Sequence, residues 1–459
     1  MLPLQRTASA WLRRWWGTGA TPSQQGPLRA QQRQIFGGGS GGTVAVGLSG
    51  GVDSAVAALR LRAAGVRVVG VFMRNWDGRE EAGGGECPAE RDLEDARRVA
   101  GRIGIPLHEV DFVAEYWTRV FDTFVEQHGR GLTPNPDLDC NRHIKFQSLL
   151  QHVLGMGADA LATGHYARLR RLPGGEMQLL RGADRTKDQS YFLASVSQQA
   201  LQRSHFPLGH LTKAEVRRIA AEAGLHVADK KGSTGICFIG KRPFGEFIGQ
   251  YVEPRRGRYV SVEDGRALGA VPALSAVTHG QGARISGQPE RWFVAGKDVV
   301  GGAVHCAPGS EHPALFTGAA LLRPPFWVAG RAPPELAAGD PLRVECKVRY
   351  GQAPATGTLC RPDSETAAAA AARMGLAHRE GDFAPSRFCR LEASDMEAGP
   401  GSLQVRFHNP LRAVTPQQAC VFYSGEVCLG GALIATPGRS LYEQEHDAPT
   451  AGVQSLASA

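Results

Sequence analysis

The sequence predicts an α/β chain: a doubly wound parallel sheet, then a small central domain, then a C-terminal β-barrel. Three observations point there. A strand–helix–strand run opens the folded part and fits a parallel βαβ unit. The alternation of strand and helix continues to about residue 225. From about residue 255 onward helical periodicity fades, and Gly, Pro and β-branched residues take over.

The elements follow in order. "TVAVGL" (43–48) has the apolar run of a buried strand, and "SAVAALRLRAAG" has helical spacing at Val56, Leu59 and Ala63 with a stop at Gly65. "VRVVGVFM" (66–73) is the second strand. Next come "ERDLEDARRVAGRIG" as helix, "PLHEVDF" as strand, "EYWTRVFDTFVEQHG" as helix and "ALATGHYARL" as strand. Thr212 and Glu215 form a capping box for one more helix, "TKAEVRRIAAEAGL". An open sheet of this kind binds ligands at the carboxyl ends of its strands. The segments read as 43–247 for the sheet domain, 248–312 for the central domain and 313–436 for the barrel. "PLRVECKVRYGQ" and "SLQVRFHNPLRAVTPQQACVFYSGEVCLGGALI" supply strands and turns of the barrel. The alanine-rich stretch at about 362–398 reads as a surface insertion, and 437–459 as a disordered tail.

A length of 459 residues allows two or three cores. No apolar run approaches the roughly 20 residues needed to span a bilayer, so no membrane partner is expected. The net charge of +8 is concentrated: residues 1–42 hold five arginines and no acid, and removing them leaves +3. RNA contact would therefore come from local patches. The leader "MLPLQRTASAWLRRWWGTGATPSQQ" has the composition of a mitochondrial presequence, which places the protein in the matrix; the alternative is a solvated tail. "GGGSGG" (37–42) is a flexible joint. Nine widely spaced cysteines without a CxxC pair argue against a zinc site or a secreted disulfide framework, and no metal ligands stand out.

The chemistry starts at "GLSGGVDS" (47–54). Ser49, Gly50 and Gly51 stand at a strand-to-helix junction, where unpaired N–H groups and the helix dipole attract anions. The loop has no lysine of the kind that stabilises a transferring terminal phosphoryl group. Such a cradle suits a pyrophosphate leaving as one piece. Two cysteines lie in settings that favour thiolate. Cys140 precedes a helix expected near Asn141, with Arg142 and Lys145 close by, and Cys237 lies in a Gly/Ser/Thr loop flanked by Lys230, Lys231, Lys241 and Arg242. For each one the alternative is a buried, inert thiol.

SGGVDS resembles the loop of the pyrophosphate-loop (PP-loop) ATPases, which activate a carbonyl or carboxyl oxygen by adenylation. Over about 43–436 the chain resembles the tRNA-specific 2-thiouridylases in their mitochondrial form. The matching segments include "GVFMRNWD", "TPNPDLDCNRHIKF", "GADALATGHYAR", "TKDQSYFL", "FPLGHLTKAEVR", "STGICFIGKRPF", "KVRYGQ" and "AVTPQQACVFYSGEVCLGG". The resemblance implies ATP with Mg2+ as cofactor, held by Gly47, Leu48, Ser49, Gly50, Gly51, Val52, Asp53 and Ser54, with Met73 and Gly164 lining the pocket. It implies that Asn135, Pro136 and Asp137 face the target base. Cys140 would be the nucleophile, Cys237 the carrier of the persulfide sulfur, and the two would close a disulfide. His165, Lys187, Asp188, Gln189, Arg349, Tyr350 and Gln418 would contact tRNA.

The implied reaction is 2-thiolation of the wobble uridine of mitochondrial tRNAs for lysine, glutamate and glutamine. Its partners are tRNA and a cysteine desulfurase or sulfur-carrier protein as donor. The base must leave its stack to react. Asp137 reads equally as an acid/base group or as a helix N-cap, and His165 on its own reads as a core histidine. Gly282 in "THGQGARISG" stands where the family places arginine, with Arg284 nearby, and Gly351 stands where a basic residue is common. Two rival classes remain: an amidating ligase that needs neither cysteine, and an RNA-binding or sulfur-carrier protein that releases no AMP.

Overall fold

The computed structural model describes residues 42–76, 88–232, 242–362, 383–396 and 398–446. The arginine-bearing leader, Cys87, Cys237 and most of the alanine-rich stretch lie outside the described residues. Seven strands fall within the first 205 residues: β1 (Thr43–Gly47), β2 (Arg67–Arg74), β3 (Leu107–Asp111), β4 (Ala160–Ala162), β5 (Ala167–Arg171), β6 (Met177–Arg181) and β7 (Ser204–His205). Five of them make a parallel sheet in the order β3-β2-β1-β4-β7. The strand order reverses at β1, which opens a crevice between the carboxyl ends of β1 and β4.

Helices cover both faces of this sheet. On one side lie α1 (Val52–Ala63) and α2 (Pro88–Ile103), where Val56, Leu59, Leu93, Ala96 and Val99 are buried together. α1 ends as a Schellman motif: Gly65, at φ +83°, and Val66 donate back to Arg62 O and Leu61 O. On the other side lies α3, formed by Val113–Tyr116, Trp117–Phe121 and Asp122–Gly129 in continuous succession. Beside it runs α4, formed by Pro136–Asp139, Cys140–Leu149 and Leu150–Gly155. Phe121, Phe124, Ile144 and Leu149 fill that second layer. A fifth helix, α5 (Lys213–Glu222), starts at the expected capping box: Thr212 and Glu215 cap each other, and the helix packs with the α1 layer.

The stretch 160–169, expected as one strand, is two. β4 stops at Ala162 because the chain must turn in under α1: a Cβ on Gly164 would lie 2.8 Å from Ser54 N. β5 then leaves the parallel sheet and pairs antiparallel with β6.

The central domain is a five-stranded sheet of β8 (Gly257–Ser261), β9 (Ala267–Val271), β10 (Gly282–Ala283), β11 (Trp292–Asp298) and β12 (Ala303–Pro308), in the order β10-β11-β12-β8-β9. The remaining strands are β13 (Phe316–Leu322), β14 (Phe326–Trp327), β15 (Leu342–Lys347), β16 (Ala355–Cys360), β17 (Leu403–Arg412), β18 (Ala419–Ser424) and β19 (Val427–Pro437). Six of them, β13-β17-β16-β15-β18-β19, close on themselves through β13–β19 pairing. Closure removes the exposed edges.

Strand pairing crosses one expected boundary, and two others need correction. The sheet domain does not end its pairing within 43–247: β6 pairs with β19, Leu179 opposite Cys428 and Leu180 opposite Val427. Arg181 pins that seam, with Nη2 2.6 Å from Glu345 Oε2 and its guanidinium over the Tyr423 ring. The insertion does not extend to 398, because Phe388, Cys389 and Leu391 are buried and Arg390 exchanges backbone hydrogen bonds with the β11 end at Lys297 and Val299. The tail does not begin at 437. A short helix, Leu441–His446, buries Glu443, whose carboxylate accepts from Ser386 Oγ, Arg387 N, Ser440 N and Ser440 Oγ. A buried carboxylate so fully hydrogen-bonded anchors the segment. Among the described residues no helix is long and apolar enough to cross a membrane.

Candidate functional site

The crevice is built on the β1–α1 turn. Leu48 N donates to Val71 O, Ser49 N donates to Ser54 Oγ at 3.1 Å, and Ser54 Oγ donates to Gly51 O at 3.1 Å. Gly50 has φ +70°, and a Cβ there would overlap the backbone of Asp92 in α2. This position needs glycine on both counts. Gly51 caps α1 without a side-chain hydrogen bond, so the first-turn N–H groups of Val52 and Asp53 face the crevice unsatisfied by the helix. Met73, near the end of β2, is half-buried and packs against the α3–α4 core.

The loop itself has no lysine, yet the fold brings two to it. Lys213 Nζ lies 2.6 and 2.7 Å from the two oxygens of Asp53, and Tyr166 OH donates to Asp53 Oδ1 at 2.7 Å. Lys230 Nζ donates to Gly50 O at 3.0 Å and pairs with Asp92 and Asp95 at 2.7 and 2.6 Å. Burial alone would lower the Lys230 pKa; the two carboxylates outweigh it and raise it. Burial, reinforced by Asp53, pushes the Tyr166 hydroxyl well above its usual range, so it stays a donor. The sequence places Lys230 only as a flank of Cys237 and gives no role to Lys213 or Tyr166. One signal for Lys213 was available: a lysine at the first position of a helix opposes the macrodipole and calls for an outside partner.

Around Cys140 the expectation shifts by one turn. The helix begins at Pro136 rather than Asn141, because Asn135 is the N-cap and its Oδ1 accepts from Asp137 N at 3.2 Å. Cys140 is therefore buried within the helix and opens a π-wound stretch, a form found often at functional sites. The cap role falls to Asn135, which removes one of the two readings of Asp137. Burial raises the Asp137 carboxyl against the pull of Lys145. It raises Asp139 to about 6, against the pull of Arg142.

The sign of the Asp139 shift sets a stability test. Between the unfolded value near 3.8 and about 6 the folded state holds more protons than the unfolded one, so stability falls as pH rises through that window. Asp139→Asn is expected to raise stability at pH 7 by about 1–3 kcal/mol and to add nothing at pH 4, read by denaturant unfolding.

The residues carried over as tRNA contacts fall into three settings. His165 is buried between Phe146 and Phe206, its Nδ1 2.7 Å from Thr163 Oγ1, and burial pushes its pKa well below the usual value. Its setting is that of a core histidine. Asp188 is also buried, accepting from Gly182 N, Ser190 N and Ser190 Oγ, while Gln189 Oε1 accepts from Tyr166 N. Lys187, just before Asp188, is exposed. The rest join domains: Arg349 Nη2 donates to His279 O and Thr415 Oγ1, the Tyr350 ring packs on Phe192 at 4.5 Å, and Gln418 Nε2 donates to Thr133 O at 2.6 Å. Tyr191 OH adds a bond to Ala419 O. The barrel thus grips the loop that leads into α4.

A parallel sheet whose strand order reverses beside an SGGVDS loop has the build of the PP-loop class. Residues 42–241 match the family described as the tRNA methyl transferase HUP domain, and 387–434 match the aminomethyltransferase β-barrel domain. A tRNA-specific 2-thiouridylase of Geobacillus kaustophilus is 43% identical over 393 residues, covering 85% of this chain and 94% of that protein. One from Streptococcus pyogenes serotype M1 is 42% identical over 399 residues, with the same coverage. The chain belongs to the tRNA-specific 2-thiouridylase family. Among solved structures, a 4-thiouridine synthetase bound to RNA and ATP aligns over 46% of this chain and 50% of its own at 20% identity. An NH3-dependent NAD synthetase from Campylobacter jejuni aligns over 45% and 75% at 20% identity. Both have a TM-score of 0.28.

Proposed function

We propose that this tRNA uridine sulfurtransferase 2-thiolates the wobble uridine of mitochondrial tRNAs for lysine, glutamate and glutamine, using ATP and a cysteine persulfide. The acid-free, arginine-bearing leader supports action in the mitochondrial matrix. The first turn of α1 holds the phosphates, and Asp53 would hold Mg2+ with them. The C2 oxygen of the uridine attacks the α-phosphate and pyrophosphate leaves, turning a poor leaving group into AMP. The terminal sulfur of a Cys237 persulfide bonds to C2 and AMP departs. Cys140 thiolate attacks Cys237 Sγ, the S–S bond to the transferred sulfur breaks, and 2-thiouridine leaves a Cys140–Cys237 disulfide. A two-electron reductant resets the pair, and a sulfurtransferase or cysteine desulfurase reloads it. Asp137, raised by burial, suits proton exchange at the base.

One observation supports this reading: the described chain on the N-terminal side of Cys237 is tied to the phosphate loop. Lys230 is tied to Gly50 of the phosphate loop. Arg242 stacks over Phe247, which shares a core with Cys140. The test is a tRNA carrying 18O at C2 of the wobble uridine. The label is expected in the AMP released, one AMP per thiouridine. Unlabelled AMP would show that the oxygen is not adenylated.

A further inference from the structure

We propose that Lys213 holds the place of a divalent cation on Asp53, so that metal enters only together with nucleotide phosphates. The inference rests on the reading of this crevice as an ATP site. Both oxygens of Asp53 are taken by one ammonium, at 2.6 and 2.7 Å, and Oδ1 also accepts from Tyr166 at 2.7 Å. The pair is largely shielded, with the Lys213 side chain 19% and the Asp53 side chain 33% exposed.

Lys213 is fixed at its base. It is the first residue of α5, its N–H donates to Asp184 Oδ2 at 2.9 Å, and the Thr212–Glu215 box sets the helix start. Its charge opposes the dipole there, so Asp53 is what makes the position favourable. Asp92 and Asp95 are already engaged by Lys230. No group of three or more His, Cys, Asp or Glu that could hold a metal occurs among the described residues.

The donor set fits Mg2+ only in company. Mg2+ is ordinarily bound through one or two carboxylates, with substrate phosphates and waters completing its octahedron. Free Mg2+ would have to expel the ammonium and would gain a single carboxylate. A metal arriving with phosphates brings its own ligands and offers the displaced ammonium new acceptors. Lys213 thereby becomes the lysine that the loop lacks, delivered from another helix.

The test uses the full chain without tRNA or sulfur donor. Mg2+ alone, and Mg2+ with inorganic pyrophosphate, are titrated by calorimetry into wild type, Lys213→Met and Lys213→Gln. Arg218→Ala, on the exposed side of α5, serves as the control for helix damage. Both Lys213 variants are expected to bind Mg2+ alone at least ~10-fold more tightly than wild type, and Mg·pyrophosphate at least ~10-fold more weakly. Asp53→Asn in the Lys213→Met background should erase the gain. Equal Mg2+ affinity in wild type and both Lys213 variants would overturn the proposal, as would a gain that survives Asp53→Asn. Failure of wild type to bind Mg·pyrophosphate would instead strike the ATP reading itself.

Discussion

Cys140→Ser and Cys237→Ser are each expected to lower tRNA thiolation on the order of 10³-fold or more, since each removes a sulfur that must form or break a bond. The two should fail differently. Without Cys237 no sulfur is carried to C2. Without Cys140 the persulfide can still be loaded on Cys237, but its S–S bond has no internal thiol to cleave it. One pyrophosphate per site should still be released by Cys140→Ser, because adenylation precedes the step that uses the Cys140 thiol. Cys140 is buried in the apolar cluster, so its replacement also lowers stability. Unfolding curves run beside the activity assays separate that loss from the chemical one. Normal thiolation by either variant would remove it from the sulfur path.

Gly50→Ala should have the second largest effect, for a reason that is wholly steric. The residue sits at φ +70°, where a side chain costs roughly 1–2 kcal/mol. Its Cβ would also be driven into the backbone of Asp92, including a 2.9 Å approach to Asp92 Cα. Overpacking of this sort adds about 1–3 kcal/mol. The total expected loss is about 2–5 kcal/mol. The relief available is for α2 to move away, which pulls Asp92 and Asp95 from Lys230 and unpins Gly50 O. ATP binding should therefore weaken by about 100-fold or more even in the fraction that folds, consistent with the steep cost of small misplacements in a site. Calorimetric titration with a non-hydrolysable ATP analogue reads it. Wild-type affinity in a folded Gly50→Ala protein would refute this description of the loop.

The sequence carried the architecture because each level of it is written locally. The apolar runs at 43–48 and 66–73 and the helical spacing of Val56 and Leu59 suffice for a parallel βαβ unit, and the SGG turn marks its ligand end. Distant partnerships were harder. Nothing near Asp53 announces Lys213 or Tyr166, which reach it from 160 and 113 residues away. α4 starts about one turn before the expected point because Pro136 is its first helical residue behind an Asn cap. The folded end at 437–446 was hidden for a related reason. Glu443 reads as a surface charge until Ser386 and Arg387 supply its partners. Similarly, the β5–β6 hairpin belongs by sequence to the sheet domain, and only its pairing with β19 shows that it extends the barrel. Burial of His165 is legible only as an alternative and that of Asp188 not at all, since both side chains are polar and their packing is tertiary.

The most direct measurement is a single turnover of persulfide-loaded enzyme with ATP and unmodified tRNA, without reductant, followed by mass analysis of the cysteine-containing peptides. One Cys140–Cys237 cross-linked peptide per thiouridine formed is the expected result. Thiouridine appearing while both thiols remain free would contradict the sulfur relay at the heart of the account.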